Sequence, residues 1–160
     1  LEVTEGTEDE PVVNGITIHK LVPSGANSAN CYIITAPGRY ELPAYEGARS
    51  NAELAEAHRF KGTPDIVWND TPANKVEFFQ GHLADDKIII DINPTLTNGE
   101  VTGHGSSIEN GNALVAIKDE VGNILWSWHL WFSPPYKVGS YNIGRSDGIL
   151  TIPHYLAFCL

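Results

Sequence analysis

The sequence contains few basic residues and no long apolar run. Lysine and arginine number 10 against 20 aspartate and glutamate residues, which gives a formal net charge of −10 and a pI near 4.9. Because nucleic-acid binding depends on basic side chains that neutralise phosphates, we do not expect a nucleic-acid partner. No stretch approaches the roughly 20 consecutive apolar residues that span a bilayer, so we do not expect direct bilayer insertion by this segment.

Cysteine is also scarce, since Cys31 and Cys159 are the two in the chain. They either form one bridge that closes a long loop, worth about 4–5 kcal/mol in the chain-entropy treatment, or are two buried thiols. Cys31 beside a histidine would make a thiol nucleophile. It precedes the apolar run 32–34, however, which indicates a buried strand, and burial makes a thiol inert. The sequence therefore favours a structural role for Cys31.

The 160 residues, 42% of them hydrophobic, fit a single domain over 1–160 with enough apolar surface for a core. The acidic, threonine-rich residues 1–10 are typical of a flexible leader and do not resemble a signal peptide. Short β-type runs separated by turn signals dominate the remainder. Tight hairpins are predicted at Asn14-Gly15, Asn98-Gly99, Gly122-Asn123 and Asp147-Gly148. This pattern favours an all-β sandwich or barrel over alternating strands and helices.

The segment 112–132 has the clearest period-2 alternation, which predicts a long hairpin with one apolar face on each arm. One face of the first arm carries Ala113, Val115 and Ile117, and one face of the second carries Ile124, Trp126, Trp128, Leu130 and Phe132. Trp126 and Trp128 share their face with Leu130 and Phe132, so we expect them in the core. Further strands are predicted at 16–22, 31–35, 39–42, 64–69, 75–80 and 86–92. A capping box from Ser50 to Glu53 predicts one short helical excursion over 50–60.

Residue types used in catalysis and metal binding do not fall into a known pattern. The run 103–107 lacks the G-x-S-x-G spacing of a nucleophile elbow, and no histidine lies in an H-E-x-x-H pattern. His129 is predicted to be a sheet residue on the mixed face. We expect no catalytic residue, no cofactor and no metal site. The candidate ligand contacts are Trp131, Tyr136 and Tyr141, because exposed aromatic rings suit a sugar ring or a protein partner; the alternative for Trp131 is inward packing.

Two segments of the chain carry a more specific signature. Residues 27–44 read N-S-A-N-C-Y-I-I-T-A-P-G-R-Y-E-L-P-A. Residues 111–119 read G-N-A-L-V-A-I-K-D, and residues 122–131 read G-N-I-L-W-S-W-H-L-W. Together they resemble the fimbrillin-like, adhesin-like surface lipoproteins of Bacteroides and its relatives. Residues 64–68 lie where those proteins carry an apolar strand that ends in tryptophan.

The resemblance implies an immunoglobulin-like antiparallel β-sandwich at the cell surface, associated with the outer membrane or extracellular. It implies a non-catalytic module for adhesion or for pilus and surface assembly. The expected partners are other surface or pilus subunits, or a host or environmental glycan or protein. A carbohydrate-binding module is the alternative, and a hydrolase is a third class, for which the sequence offers no base, nucleophile and oxyanion donor together. The apolar end, 149–160, would complete the chain's own sheet or add to a neighbour by β-augmentation.

Overall fold

The computed structural model describes residues 5–23, 26, 28–43, 62–79 and 87–135, and this part of the chain is all-β. Its twelve strands are β1 (Glu5–Gly6), β2 (Pro11–Val13), β3 (Ile16–Lys20), β4 (Cys31–Ile34), β5 (Gly38–Pro43), β6 (Thr63–Asn69), β7 (Val76–Phe78), β8 (Lys87–Ile92), β9 (Pro94–Thr97), β10 (Glu100–His104), β11 (Gly111–Lys118) and β12 (Ile124–Phe132). Within these ranges no helix has the length and apolar character needed to cross a bilayer. The predicted helix over 50–60 and the predicted turn at Asp147-Gly148 lie outside the described residues.

The described strands form three sheets. Six strands follow the order β1-β2-β3-β5-β8-β7, four follow the order β4-β12-β11-β6, and β9 and β10 form a separate ribbon. Most neighbours are antiparallel, but β3 pairs with β5 and β4 pairs with β12 in parallel. The prediction of an antiparallel fold did not include these two pairings. Turn signals report on hairpins, whereas parallel neighbours are joined by longer connections that leave no local signal.

Asparagine and glycine close the tight hairpins as predicted. The φ angles are 51° and 76° at Asn14 and Gly15, and 52° and 82° at Asn98 and Gly99. These positive values are tolerated by glycine and, among the other residues, best by asparagine. The first pair joins β2 to β3 and the second joins β9 to β10. The turn before β12 uses Gly122, at a φ of 88°.

The six-stranded and four-stranded sheets contribute side chains to one apolar cluster. Its fully buried members from β5 and β8 are Leu42, Ile88, Ile90 and Ile92. Those from β11 and β12 are Ala113, Val115, Ile117, Trp128, Leu130 and Phe132. Full burial of one large apolar side chain contributes about 1.5–3 kcal/mol, so this cluster contributes substantially to the stability of the described fold.

Strand β12 alternates between the core and the opposite face. Trp128, Leu130 and Phe132 are buried, whereas His129 and Trp131 between them are half-buried on the other side. Trp126, also predicted to be core, is partly buried and packs against the cluster, whereas Ile124, predicted on the same face, is 49% exposed. The pairing of β11 with β12 shifts register between Ile117 and Lys118. Such a bulge re-aims the side chains beyond it, here at the turn end of the hairpin.

The loop after β6 packs against the start of β11. Asn74 is 1% exposed. Its Nδ2 donates to the backbone carbonyl of Glu109 at 2.7 Å, and its Oδ1 accepts from the backbone N–H of Glu109 at 2.9 Å. Gly111 lies so close to Thr71 that a β-carbon at position 111 would overlap the threonine hydroxyl. Glycine at this position therefore permits the close approach of the two segments.

Candidate functional site

The face of the four-stranded sheet that points away from the core carries the candidate site. Residues that are direct partners on neighbouring strands place their side chains on the same face. The strand registers give two such rows, which together we call the outer face: Cys31, His129, Leu114 and Trp68, then Ile33, Trp131 and Asn112. The site thus draws on all four strands of this sheet, and β4 lies at its edge.

A chain of hydrogen bonds crosses the outer face from Asp70 to His129. The Asp70 carboxylate accepts from the backbone N–H of Asn112 at 2.6 Å and from Nδ2 of Asn112 at 3.0 Å. Because an ionised carboxylate only accepts, Nδ2 must face Asp70, and Oδ1 of Asn112 faces His129. That oxygen lies 2.8 Å from Nε2 of His129. Nε2 therefore carries the proton and donates, and Nδ1 of the neutral ring is left as an acceptor.

Hydrogen bonding keeps Asp70 in its ionised form. The backbone N–H of Asn112 is the largest cause, followed by the side chains of Asn112 and Thr71, and together they hold the pKa of Asp70 below its ordinary value of 3.8. Attraction to a protonated His129 acts in the same direction. The acceptor that orients Asn112 is thus charged at neutral pH, which strengthens its hydrogen bonds.

Cys31 completes this arrangement on the other side of the imidazole. Its Sγ lies 3.7 Å from Nδ1 of His129, because the parallel pairing of β4 and β12 makes the two residues direct partners. Cys31 is disulfide-bonded, and Cys159, the second cysteine of the chain, lies outside the described residues. The alternative of a free thiol at Cys31 is therefore wrong in this structure. The expected apolar burial is also wrong, since the side chain is half-buried beside an imidazole.

Aromatic and apolar side chains surround this polar centre. Trp131, a predicted ligand contact, lies on the outer face. Its side chain is half-buried, so it is neither fully exposed, as expected of a ligand contact, nor packed into the core, as in the alternative. Tyr136 and Tyr141 lie outside the described residues. The structure adds Trp68, which is 44% exposed and has its ring centroid 6.2 Å from that of His129. Ile33, at 42% exposure, lies on the edge strand of the same face.

A second polar cluster is buried in the six-stranded sheet. Arg39 on β5 and Asp91 on β8 are direct partners, and two hydrogen bonds of 2.9 Å join the guanidinium to both carboxylate oxygens. Their side chains are 3% and 2% exposed. Nε2 of His104 lies 2.7 Å from the same carboxylate, and the guanidinium stacks 4.0 Å from the centroid of the Phe79 ring. Because the buried carboxylate is bonded to Arg39 and contacted by His104, this cluster is a structural element.

Sequence reasoning identified Trp131 but not the residues that surround it. Asp70 and Asn112 are 42 positions apart, and Cys31 and His129 are 98 apart. No spacing rule connects positions so distant in the sequence. The one available signal was that the segments around Cys31, Asn112 and His129 all belong to the signature in 27–44 and 111–131.

Comparisons of the chain with protein-family models, with curated proteins and with solved structures found no match. In the part of the chain that the structure describes, no group of three or more His, Cys, Asp or Glu side chains is arranged to hold a metal ion. Relatives therefore supply no residue roles, and the outer face is the feature from which a function is inferred.

Proposed function

We propose that this chain is a non-catalytic cell-surface module, associated with the outer membrane or extracellular, that serves adhesion or pilus and surface assembly. One observation carries the proposal: Trp68 and Ile33, at 44% and 42% exposure, share the outer face with half-buried Trp131. A single exposed apolar side chain is ordinary, but several on one face are typical of interaction surfaces. His129 and Asn112 lie among them and give the face the mixed character of a protein interface.

The fold that fits this role is an immunoglobulin-like β-sandwich. Two observations support it: the six-stranded and four-stranded sheets share one core cluster, and side chains along β12 alternate between that core and the outer face. A sheet that is buried on one side offers its other side to a partner. The resemblance of 27–44 and 111–131 to fimbrillin-like proteins favours surface or pilus subunits as that partner.

Retention of protein-coated beads on immobilised probes tests the adhesive role. The probes are a second copy of the chain and a mucin layer, and albumin-coated beads set the background. We expect Trp68→Ala to lower retention at least about fivefold, since truncation of an aromatic contact in an interface costs upwards of about 1 kcal/mol. The matched control is Leu96→Ala, which removes a side chain that is 52% exposed in the β9–β10 ribbon. Retention at background on both probes would contradict the proposal.

Carbohydrate binding is the second candidate for the same face. Trp68 and Trp131 offer flat indole rings, and Asn112 and His129 offer hydrogen-bonding groups between them. This combination suits a sugar ring, which presents apolar C–H groups on its faces and hydroxyls at its rim. The predicted contacts Tyr136 and Tyr141 would add further aromatic area.

A glycan array separates the two candidates. If the face binds sugars, the wild-type chain gives specific signals that Trp131→Ala and Trp68→Ala each remove and Leu96→Ala retains. An array without signal, combined with retention on the immobilised chain, favours assembly over sugar binding. Binding of an antibody against the chain to intact cells tests the surface location.

A further inference from the structure

We propose that Cys31 is a thiol–disulfide exchange site, in which His129 stabilises the Cys31 sulfur as a thiolate when its disulfide opens. The inference rests on the 3.7 Å between Sγ and Nδ1 and on the hydrogen bonds that orient the ring from its opposite side. It does not depend on the adhesive role, because it needs no partner on the outer face.

The orientation of the imidazole determines what it does to the sulfur. Nε2 donates to Asn112, whose amide is in turn fixed by Asp70, so Nδ1 is the nitrogen that faces Cys31. When the disulfide opens, Cys31 leaves as a thiolate, and Nδ1 takes up the proton that the reagent thiol released on ionising, which gives a thiolate beside an imidazolium. The two N–H groups of that imidazolium then point to Cys31 and to Asn112. Asn112 is a positioning residue in this scheme.

One charged group of opposite sign to an imidazolium lies near the ring. Asp70 attracts a protonated His129, and it is the charged group that faces the ring from the end of β6. On β6, the residue beside the His129 ring is Trp68, whose indole is neutral. On β11, it is Asn112, whose amide is also neutral. An imidazolium here is compensated by one carboxylate on its far side and by a thiolate on its near side.

The exchange step balances as a displacement at sulfur. An external thiolate, such as that of glutathione or dithiothreitol, attacks the sulfur to which Cys31 is bonded. A new S–S bond forms between the reagent and that partner sulfur, the bond to Cys31 breaks, and its electron pair leaves on Cys31 Sγ. The reagent sulfur is oxidised as Cys31 is reduced. Because exchange is faster when the leaving sulfur is a stable thiolate, His129 accelerates opening and directs attack to the partner sulfur.

The Cys31 side of the bond is partly exposed to solvent. Cys31 is half-buried at the start of β4, an edge strand, and the next outward residue, Ile33, is 42% exposed. Exposed disulfides are the ones that exchange readily, whereas buried structural ones resist reduction.

The rate of reduction by dithiothreitol at neutral pH, followed by the release of free thiols, tests the proposal. We expect His129→Gln to slow reduction about tenfold, which corresponds to a loss of about two units of leaving-group acidity at a Brønsted slope of about 0.5. His19→Gln is the matched control, because His19 lies in the six-stranded sheet and contacts Glu10. Unfolding would expose the bond and speed its reduction, so a slower rate is not a folding artefact.

Asn112→Ala provides a second variant that keeps the imidazole. It removes the acceptor of Nε2, and we expect reduction to slow by less than in His129→Gln. A further readout uses Cys159→Ser, which leaves Cys31 as the single thiol, and measures its alkylation by iodoacetamide against pH. With His129 present, alkylation should persist well below the ordinary thiol pKa of about 8.5; with His129→Gln added, it should fall about tenfold per pH unit below that value.

Three results would overturn the proposal. One is an equal rate of reduction in His129→Gln and His19→Gln. Another is the same pH profile of alkylation with and without His129. The last is a count of two free thiols in the purified native protein.

Discussion

Removal of the buried carboxylate at Asp91 should cost the protein a large part of its stability. Asp91 is 2% exposed at its side chain and is bonded twice to Arg39, which is 3% exposed. The variant Asp91→Ala leaves the guanidinium charged, buried and without its carboxylate. Breaking a buried ion pair in this way costs about 3–5 kcal/mol. Domains of this kind have a total stability of about 5–15 kcal/mol, so the loss would be plain in any unfolding experiment.

Urea unfolding followed by circular dichroism measures this loss as a change in the free energy of unfolding. The control is Lys87→Ala, which removes an ion pair with Glu41 at 3.7 Å whose lysine side chain is 46% exposed. Exposed pairs contribute about 0–1 kcal/mol, so the control should stay near the wild type. The double variant Arg39→Met, Asp91→Ala should recover much of the loss, because it no longer buries a charge.

Two outcomes would refute this reasoning. If the free energy of unfolding of Asp91→Ala is within about 1 kcal/mol of the wild-type value, as expected for the loss of an exposed pair, then the guanidinium is not held away from water. If the double variant is less stable than Asp91→Ala alone, the penalty does not come from an uncompensated charge. The cost would then lie in packing against the ring of Phe79.

Three further predictions follow from contacts in the fold. Trp128→Ala should cost about 3–5 kcal/mol in urea unfolding, and Trp128→Phe much less, because the buried indole N–H has no hydrogen-bond partner among the described residues. Gly111→Ala should lower the free energy of unfolding by about 1–3 kcal/mol, because the new β-carbon overlaps the side chain of Thr71. The control Gly103→Ala has open space around it and should change that free energy by no more than about 0.5 kcal/mol. Hydrogen bonds, first from the side chain of Asn123, lower the pKa of Asp119 from 3.8, so its contribution to stability is present above that pH and is lost as the pH falls through the lower folded value. Asp119→Asn should therefore flatten the decline of unfolding free energy below about pH 4, and an unchanged slope would contradict the assignment.

The sequence predicts the strands best where local pattern and turn chemistry agree. The hairpins at Asn14-Gly15 and Asn98-Gly99 follow from residues that accept positive φ. The burial of Trp128, Leu130 and Phe132 follows from period-2 alternation alone. The exposure of Ile124 shows where such reasoning fails, because the bulge in the hairpin changes the orientation of the side chains beyond it.

The polar clusters could not be predicted, because each depends on pairing between distant segments. Arg39 and Asp91 are 52 positions apart, and each reads in isolation as an exposed charge on a strand. Their burial depends on β5 lying next to β8 within the six-stranded sheet. The proximity of Cys31 to His129 likewise depends on the parallel register of β4 and β12, for which no turn gives a signal.

The alternation of β12 also determines how functional variants should be interpreted. Adjacent side chains point to opposite faces, so His129 and Trp131 can be changed without altering the core contacts of Trp128 and Leu130. A loss of binding or of exchange in an outer-face variant that retains the unfolding free energy of the wild type therefore reports on the outer face itself. A register slip by one residue would move the outward imidazole into the core and a buried tryptophan into solvent. The core therefore fixes the register that sets His129 beside Cys31.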